Sequence, residues 1–251
     1  MPAPKTDTPD TIDATDTRLR IKEAAQKLFA ERGVEAVTVR EIVAEAGAKN
    51  GGSLNYYFGS KEDLISELLA DVLRMSGIGW LEGLSRMEKA GGPNCVRDII
   101  SVIVYGPDRF MRDEPNPTSS RFLASVLFTR RRTVRELMNQ LDFSVFARLL
   151  GYIQTLRPEI APAVMRQRLI FLAWYLISVL SAHEAFVASR RRTAEWTEFD
   201  PLANIIDTAT GLIEAPVSDE ESIANRRKTF GVAKPRATAP RKKAARGADE
   251  K

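Results

Sequence analysis

The chain has 251 residues, of which 44% are hydrophobic and 28% charged, an ordinary composition for a globular protein of one or two domains. A single cysteine, Cys95, excludes a disulfide framework and a four-cysteine metal site. A single histidine, His183, excludes a histidine-rich metal site and catalysis by two imidazoles. Residues 1–16 lack the apolar stretch of a signal peptide, and no run reaches the roughly 18 apolar residues that cross a bilayer. We therefore expect a cytoplasmic protein with no metal, no cofactor and no membrane contact.

The positive charge is concentrated at the C-terminal end. Residues 225–251 contain ten lysines and arginines against two carboxylates, a net charge of +8, whereas the whole chain carries only +4. The other 224 residues are therefore mildly acidic, at −4. Because the end is poor in apolar side chains and rich in Pro, Ala, Lys and Arg, we predict a disordered basic tail over residues 216–251, and a disordered arm over residues 1–16. The tail is either a solubilising end or an arm that binds polyanions in a salt-sensitive manner.

The chain between these ends shows helical periodicity and no alternating strand pattern, so we predict an all-α fold. Glycine and proline residues fall at intervals that suit the ends of helices. The apolar spacing predicts helices over 17–32, 93–112, 117–130, 132–156 and 160–190, and a last helix that Asp200 and Pro201 open and that runs to about residue 214.

The segment after the first helix carries the local signals of closely spaced short helices. Thr38 and Glu41 have the spacing of a capping box, and the helix that they open ends at Gly47. A third helix is predicted over 50–57, and Ser60 opens a fourth. Two short helices joined by a tight turn have the plan of a helix-turn-helix unit, which lays its second helix in the DNA major groove, where base pairs can be distinguished.

The polar residues around this turn are candidate DNA contacts. Asn50, Ser53 and Asn55 offer donors and acceptors to base edges. Tyr56, Thr38 and Lys61 are placed at the rim, where they would contact phosphates of the DNA backbone. For the cations the alternative is a solvated helical face, since residues 17–75 contain nine lysines and arginines and nine carboxylates. The complete set of predicted DNA-binding residues is Thr38, Arg40, Lys49, Asn50, Gly52, Ser53, Asn55, Tyr56 and Lys61.

Three stretches of this region resemble the TetR family of bacterial transcriptional regulators: residues 24–33 (AAQKLFAERG), 38–47 (TVREIVAEAG) and 56–64 (YYFGSKEDL). The resemblance implies an all-α homodimer with N-terminal DNA-binding domains, a C-terminal domain that holds an inducer pocket, and a four-helix dimer interface. It also implies phosphate contacts by Thr38, Tyr56 and Lys61 and a recognition-helix contact by Ser53.

Two departures from the family pattern stand out. The stretch from Gly47 to Phe58 is one residue longer than the commonest spacing, and residues 49–52 absorb the extra residue, so we interpret it as a longer-turn variant. Tyr57 stands where the family commonly has histidine, in a position whose role is mainly packing.

The resemblance divides the chain into a DNA-binding domain, residues 17–75, and a ligand-binding and dimerisation domain, residues 76–215. Residues 169–182 are apolar nearly all round a helix, so we expect core on one flank and a partner subunit on the other, giving a homodimer through helices 160–190 and 201–214. Aromatic and polar residues of this domain either pack in its core or line an effector pocket: Trp80, Tyr105, Phe122, Phe128, Trp174, Tyr175 and His183.

We therefore expect a sequence-specific transcriptional regulator, a repressor that an unknown small-molecule effector releases from a near-palindromic operator. An enzyme is disfavoured because the sequence has no paired-carboxylate, glycine-rich phosphate or nucleophile-elbow motif. A third class, a DNA-organising protein that binds mainly by charge, is suggested by the basic tail. The ratio of affinities for specific and random duplexes separates this class from a regulator.

Overall fold

The computed structural model describes residues 9–48, 50–111, 117–138, 140, 144–189 and 193–233. Within these ranges the chain forms helices and no β-strand, which confirms the all-α fold. The chain divides into two compact units, Met1–Ala215 and Pro216–Lys251. The helices of the first unit are α1 (Pro9–Arg32), α2 (Val39–Glu45), α3 (Ser53–Phe58), α4 (Lys61–Lys89), α5 (Val96–Met111), α6 (Ser119–Thr129), α7 (Arg131–Met138), α8 (Ser144–Leu156), α9 (Pro162–Ala188), α10 (Ala194–Thr197) and α11 (Pro201–Glu214).

The first of two hydrophobic cores lies among α1 to α4 and is completed by α6. The apolar stripe predicted for α1 is buried here, together with Leu54 of α3. Phe122 and Val126 of α6 are also fully buried in this core. The rings of Phe29 and Phe122 stack with their centroids 6.1 Å apart, so α6 is part of the same packed unit as the N-terminal helices.

The second core lies among the C-terminal half of α4 and helices α5, α8, α9 and α11. Leu84, Ile99, Leu149, Leu172 and Ile206, one from each of these helices, are buried in it. Helix α4 runs unbroken through both cores, and the predicted domain boundary at residues 75 and 76 falls inside it. The division into domains at that point stays a prediction.

Helices α4 and α5 approach each other so closely that their backbones touch. A Cβ atom on Gly79 would lie 2.2 Å from the carbonyl oxygen of Gly106. Pro107 has no N–H to donate to the carbonyl of Ile103, one turn earlier, and the indole Nε1 of Trp80 donates to that oxygen instead at 3.1 Å. The close approach thus lets an α4 side chain satisfy a carbonyl that a proline would otherwise orphan.

Both chain ends contain helix where disorder was predicted. Helix α1 begins at Pro9, so residues 9–16 extend it beyond the predicted start at residue 17. Proline at the first helical position and three aspartates near this end suit the helix dipole, but they form no apolar stripe, which is why periodicity missed them. The second unit contains α12 (Glu220–Thr229), whose N-cap Asp219 accepts a hydrogen bond from the Ser222 amide, inside the predicted tail.

Three predicted helix boundaries were also wrong. The third helix begins at Ser53 rather than residue 50, because residues 50–52 form a turn. Helix α5 begins at Val96 rather than 93, where the Asp98 carboxylate accepts the amide protons of residues 94 and 95. The single helix predicted over 132–156 is two helices, α7 and α8, and the short α10 was not predicted.

Helix α9 is, within the described ranges, the one helix long and apolar enough to cross a membrane by length and composition. The prediction that no apolar run is long enough to cross a bilayer is therefore wrong for a helix that contains a few charged residues. Arg168 and Glu184 of α9 are buried and hydrogen-bonded to α11 and α6, respectively. These two contacts tie α9 to its neighbours, although only 17% of its most apolar stretch is buried, and we assign α9 to the fold on the ground of the contacts.

Candidate nucleic-acid interface

A capping box fixes the start of α2, as the sequence predicted. The Thr38 hydroxyl accepts the amide proton of Glu41 at 3.3 Å, and the Glu41 carboxylate accepts the amide proton of Thr38 at 2.8 Å and its hydroxyl proton at 2.7 Å. The backbone amide and hydroxyl of Thr38, together with Arg32, lower the pKa of Glu41 to about 2. The Thr38 side chain therefore positions α2, and its hydroxyl proton is already donated within the chain.

The turn between α2 and α3 orients the third helix. Gly47 has φ of +61°, a left-handed conformation that suits glycine after a helix C-terminus, and the Ala48 amide donates to the carbonyl of Val43 at 3.1 Å. Leu54 and Phe58 are buried against the first core and fix α3 from behind. The opposite side of this short helix consequently faces solvent.

The residues that open α3 hold one another in a compact turn. The Asn50 side-chain oxygen accepts the amide proton of Gly52 at 3.0 Å, and the Ser53 hydroxyl donates to the carbonyl of Asn50 at 2.7 Å. Lys49 lies outside the described residues. Asn50 and Gly52 are exposed, whereas Ser53 is half-buried with its hydroxyl proton donated inside the turn.

Three predicted contacts stand on the exposed side of the unit. Asn55 and Arg40 are exposed, and Tyr56 is 83% exposed although it is a large aromatic residue. The ring of Tyr56 stands edge-on to that of Tyr57, with centroids 5.0 Å apart. An exposed tyrosine supported by a second ring presents its hydroxyl in a defined direction, as a phosphate contact requires.

Lys61 is tied into the protein more firmly than the sequence indicated. Its ammonium group donates to the carbonyls of Val34 at 2.5 Å and Val37 at 2.6 Å, and lies 5.6 Å from the ring centroid of Phe29. An ammonium has three N–H groups, and two of them thus hold the loop between α1 and α2. One remains for a phosphate, so Lys61 both shapes the interface and can contact a ligand.

Arg130 lies at the junction of α6 and α7 and is the first of three consecutive arginines. Its guanidinium forms two hydrogen bonds with the Glu62 carboxylate, at 3.0 and 3.1 Å, and also pairs with Glu35. These two carboxylates raise the pKa of Arg130. Nearby, the Ser125 hydroxyl accepts the amide proton of Val34 at 3.0 Å. Helix α6 therefore makes polar as well as apolar contacts with the helix-turn-helix segment.

The predicted pocket residues do not gather in one place. Phe122 packs in the first core, whereas Tyr105 and Trp80 pack against the second, with the Trp80 ring centroid 4.8 Å from that of Phe146. Phe128 is exposed and its ring lies 5.2 Å from that of Trp174, on the outside of α6 and α9.

The other two predicted pocket residues lie elsewhere along α9. The Tyr175 hydroxyl is hydrogen-bonded to the Thr208 hydroxyl of α11. The His183 ring lies 5.9 Å from the ring of Trp196 in α10. An open surface depression lined by Arg148, Gly151, Tyr152, Gln154 and Thr155 contains none of the seven predicted residues.

Known proteins match the helix-turn-helix part of the chain. Residues 21–68 match the family described as bacterial regulatory proteins, tetR family. The chain is 42% identical over 64 residues to the HTH-type transcriptional repressor KstR2 of Rhodococcus jostii (strain RHA1), a match that covers 26% of this chain and 31% of that protein. It is 34% identical over 125 residues to the HTH-type transcriptional regulator AcrR of Shigella flexneri, which covers 50% of this chain and 54% of that protein.

The likeness is partial in length. The chain spans about a third of the length of the KstR2 repressors that it matches. Among solved structures, AmtR of Mycobacterium smegmatis aligns over 94% of this chain and all of that chain, at 18% identity and a TM-score of 0.41. The family match itself covers most of α1, all of α2 and α3, and the beginning of α4.

Proposed function

We propose that this chain is a sequence-specific DNA-binding repressor that acts as a homodimer, because its residues 21–68 match the family described as bacterial regulatory proteins, tetR family. The single observation that carries the proposal is α3, a short helix that buried Leu54 and Phe58 fix from behind. Its solvent-facing side is continuous with the exposed turn that begins at Asn50. A helix presented in this way fits the major groove, where base edges are read. Such a regulator would act in the cytoplasm.

The exposed residues divide by role. Asn50 and Asn55 offer amide groups that can pair with base edges, and Gly52 lets the backbone approach the DNA, since a Cβ there would meet only the Asn50 side chain. Tyr56, Arg40 and the remaining N–H of Lys61 would contact phosphates, as would Lys49. Thr38 and Ser53 contribute chiefly by orienting α2 and α3, because their hydroxyl protons are engaged inside the chain.

The homodimer is proposed to form through α9 and α11. Helix α9 exposes large apolar side chains on the side away from the second core: Ile170 is 57% exposed, Phe171 52% and Trp174 38%. Three large apolar residues in two turns of one helix are costly in water and mark a surface that another protein covers. A second copy related by a two-fold axis would cover this face with the same face and place two recognition helices on one near-palindromic site.

A small-molecule effector is proposed to act on the C-terminal helices. Its support is the position of α6, which packs on α1 through Phe122 and Val126 and on α9 through its N-terminus. A ligand that favours one placement of α6 would shift the helix-turn-helix unit with it, and would release DNA only through that difference in affinity.

The decisive experiment is selection from a library of random duplexes. We expect the full chain to enrich a near-palindromic sequence with half-sites about one helical turn apart or a multiple of it. If no sequence is enriched after several rounds at moderate salt, the proposed function is excluded. Turnover of any substrate would contradict the expectation that the chain is not an enzyme.

Tyr56→Ala is expected to weaken binding to all duplexes, whereas Asn55→Ala should change which base is preferred at one position, by about 1–3 kcal/mol per lost base contact. The physical reason is that phosphates carry no sequence information and base edges do. Fluorescence anisotropy with the selected duplex and its single-base variants measures both. Tyr56→Phe is the matched control for the hydroxyl, and equal losses for all three variants on every duplex would contradict the division of roles.

Phe171→Glu is expected to weaken the homodimer by at least about 30-fold, because it places a charge in the apolar centre of the proposed interface. Sedimentation equilibrium of the full chain gives the dissociation constant directly. Phe230→Glu is the matched control: the same substitution at a residue that is exposed in the C-terminal unit should leave the dimer unchanged. A Phe171→Glu protein as dimeric as the parent would place the interface elsewhere.

A further inference from the structure

Most cations of the helix-turn-helix segment are engaged by groups of the same chain. Lys61 donates to two carbonyls, Arg40 forms no ion pair with any residue in the described ranges, and Lys49 lies outside them. The other six of the nine lysines and arginines between residues 17 and 75 form ion pairs with carboxylates: Arg18, Arg20, Lys22, Lys27, Arg32 and Arg74.

This pairing limits the electrostatic affinity of the segment for DNA. An exposed ion pair is weak, so a cation such as Lys27 can turn from Glu45 to a phosphate. The carboxylate then remains, unpaired, beside the phosphates. The segment carries as many carboxylates as cations. When its cations turn from carboxylates to phosphates, the net negative charge of the complex therefore falls little. Affinity for the backbone depends on the counterions that protein cations displace, and this segment displaces few.

The C-terminal unit has the opposite arrangement. In α12 the carboxylates Glu220 and Glu221 lie in the first turn, and Arg226, Arg227 and Lys228 lie in the last. Each sign is thus at the end of the helix that its dipole favours, and no ion pair of these three cations occurs within the described part of the chain. Residues 234–251 add seven more lysines and arginines against two carboxylates. Residues 225–251 together carry +8, more than the net charge of the whole chain.

We propose that this C-terminal unit, Pro216–Lys251, binds the phosphate backbone of duplex DNA without reading its sequence and supplies most of the salt-dependent affinity of the protein. The inference rests on the proposed function, because the helix-turn-helix unit holds the duplex and gives a tethered cationic segment a high effective concentration of phosphate. Phe230 is the one aromatic residue of residues 216–251, so the unit lacks the series of rings on which single-stranded bases stack. Backbone phosphates are the partner that its composition fits.

The test neutralises the tail and preserves everything else. One variant of the full chain replaces six cations by glutamine, and a matched control exchanges lysine for arginine and arginine for lysine at the same six positions, which keeps the charge. A third variant neutralises the cations of α12. The six positions are Lys234, Arg236, Arg241, Lys242, Lys243 and Arg246, and the three of α12 are Arg226, Arg227 and Lys228. Fluorescence anisotropy on a random-sequence 30-base-pair duplex gives the affinity at a series of KCl concentrations.

We expect the slope of log affinity against log salt to become shallower by about 3 or more in the six-position variant, at about 0.9 per lost phosphate contact, and the affinity at low salt to fall by at least about tenfold. The charge-preserving control should match the parent, and the α12 variant should lose about 1 to 3 in slope. An unchanged slope for the neutralised variants overturns the inference. So does a loss that appears with anionic vesicles or single-stranded RNA while duplex binding is unaffected.

The selected duplex separates the two proposals. If the parent prefers its selected sequence over random DNA and neutralisation leaves the slope unmoved, the tail inference fails and the proposed function stands. If the parent prefers no sequence but neutralisation still flattens the slope, the tail inference stands and the regulator proposal fails. Where both stand, the six-position variant should lose affinity for the selected duplex and for random DNA by the same factor, because a contribution that is indifferent to sequence cancels in the ratio of the two affinities.

Discussion

Gly79→Ala is expected to lower the free energy of unfolding by about 3 kcal/mol, the upper part of the range for overpacking a close contact. The added methyl would lie 2.2 Å from the carbonyl oxygen of Gly106 and 2.4 Å from its carbonyl carbon. Both are backbone atoms of α5, so no side chain can rotate away and the two helices must separate. Separation would also stretch the hydrogen bond from Trp80 to Ile103. Urea denaturation at a fixed protein concentration measures the loss.

Two other glycines of α4 provide a graded control. A Cβ on Gly77 meets nothing within 4 Å, so Gly77→Ala should stabilise the protein by up to about 1 kcal/mol through helix propensity alone. A Cβ on Gly83 meets the end of the Val102 side chain at 2.9 Å, which can move, so Gly83→Ala should fall between the other two. Equal effects at all three positions would show that helix propensity, and no contact between α4 and α5, decides the outcome.

Local rules were sufficient for the helix-turn-helix unit. The capping box at Thr38, the cap at Ser60 and the helix end at Gly47 depend on residues within three or four positions of each other, and each was predicted and is present. The same rules could not fix where α3 begins. The Asn50 side-chain oxygen accepts the amide proton of Gly52, and the turn that this bond closes delays the start of the helix to Ser53.

Contacts between distant segments were beyond those rules. The partners of Arg130 lie 68 and 95 residues away along the chain, so no local pattern around its run of three arginines identifies them. Phe122 was predicted either to pack in the core of the C-terminal domain or to line a pocket there, and the partner of its ring is Phe29 in α1. For Lys61 the sequence offered a phosphate contact or a solvated face, because the carbonyls that accept from its ammonium belong to a loop whose path no periodicity describes.

Helix α9 shows a different limit. Its apolar residues surround it, so periodicity identified a helix covered on more than one side but could not say which side the fold covers. The structure buries Leu172 and Leu176 in the second core and leaves Ile170 and Phe171 outside. Its one deeply buried carboxylate, Glu184, had no recognisable signal in the sequence, because its partner is the N-terminus of another helix.

Glu184→Ala is expected to destabilise the protein by about 2–4 kcal/mol at pH 7, since it removes the acceptor of two buried hydrogen bonds and leaves both amide donors unsatisfied. Glu184 is 3% exposed, and its carboxylate accepts the amide protons of Ser120 at 2.8 Å and Arg121 at 2.9 Å. Thr118, the N-cap of α6, makes no side-chain capping bond, so a side chain of α9 performs that role. Glu184→Gln keeps one acceptor oxygen and the same shape, and should lose about 1 kcal/mol. An alanine variant as stable as the parent would mean that water caps α6 equally well.

The pH dependence of the same pair of variants tests the burial itself. Burial raises the pKa of Glu184, and the hydrogen bonds from the two backbone amides and the charge of Arg121 oppose this rise only in part. The folded state therefore holds the proton of the Glu184 carboxyl more tightly than the unfolded state does, where the pKa has its ordinary value of 4.5. Stability relative to Glu184→Gln should therefore fall as the pH rises from about 4.5 through the raised pKa. Glu41→Gln is the control of opposite sign: the pKa of Glu41 is lowered to about 2, so the parent should gain stability relative to this variant between about pH 2 and 4.5. If the parent instead gains stability relative to both variants as the pH rises, water reaches Glu184 and the contact between α9 and α6 is open.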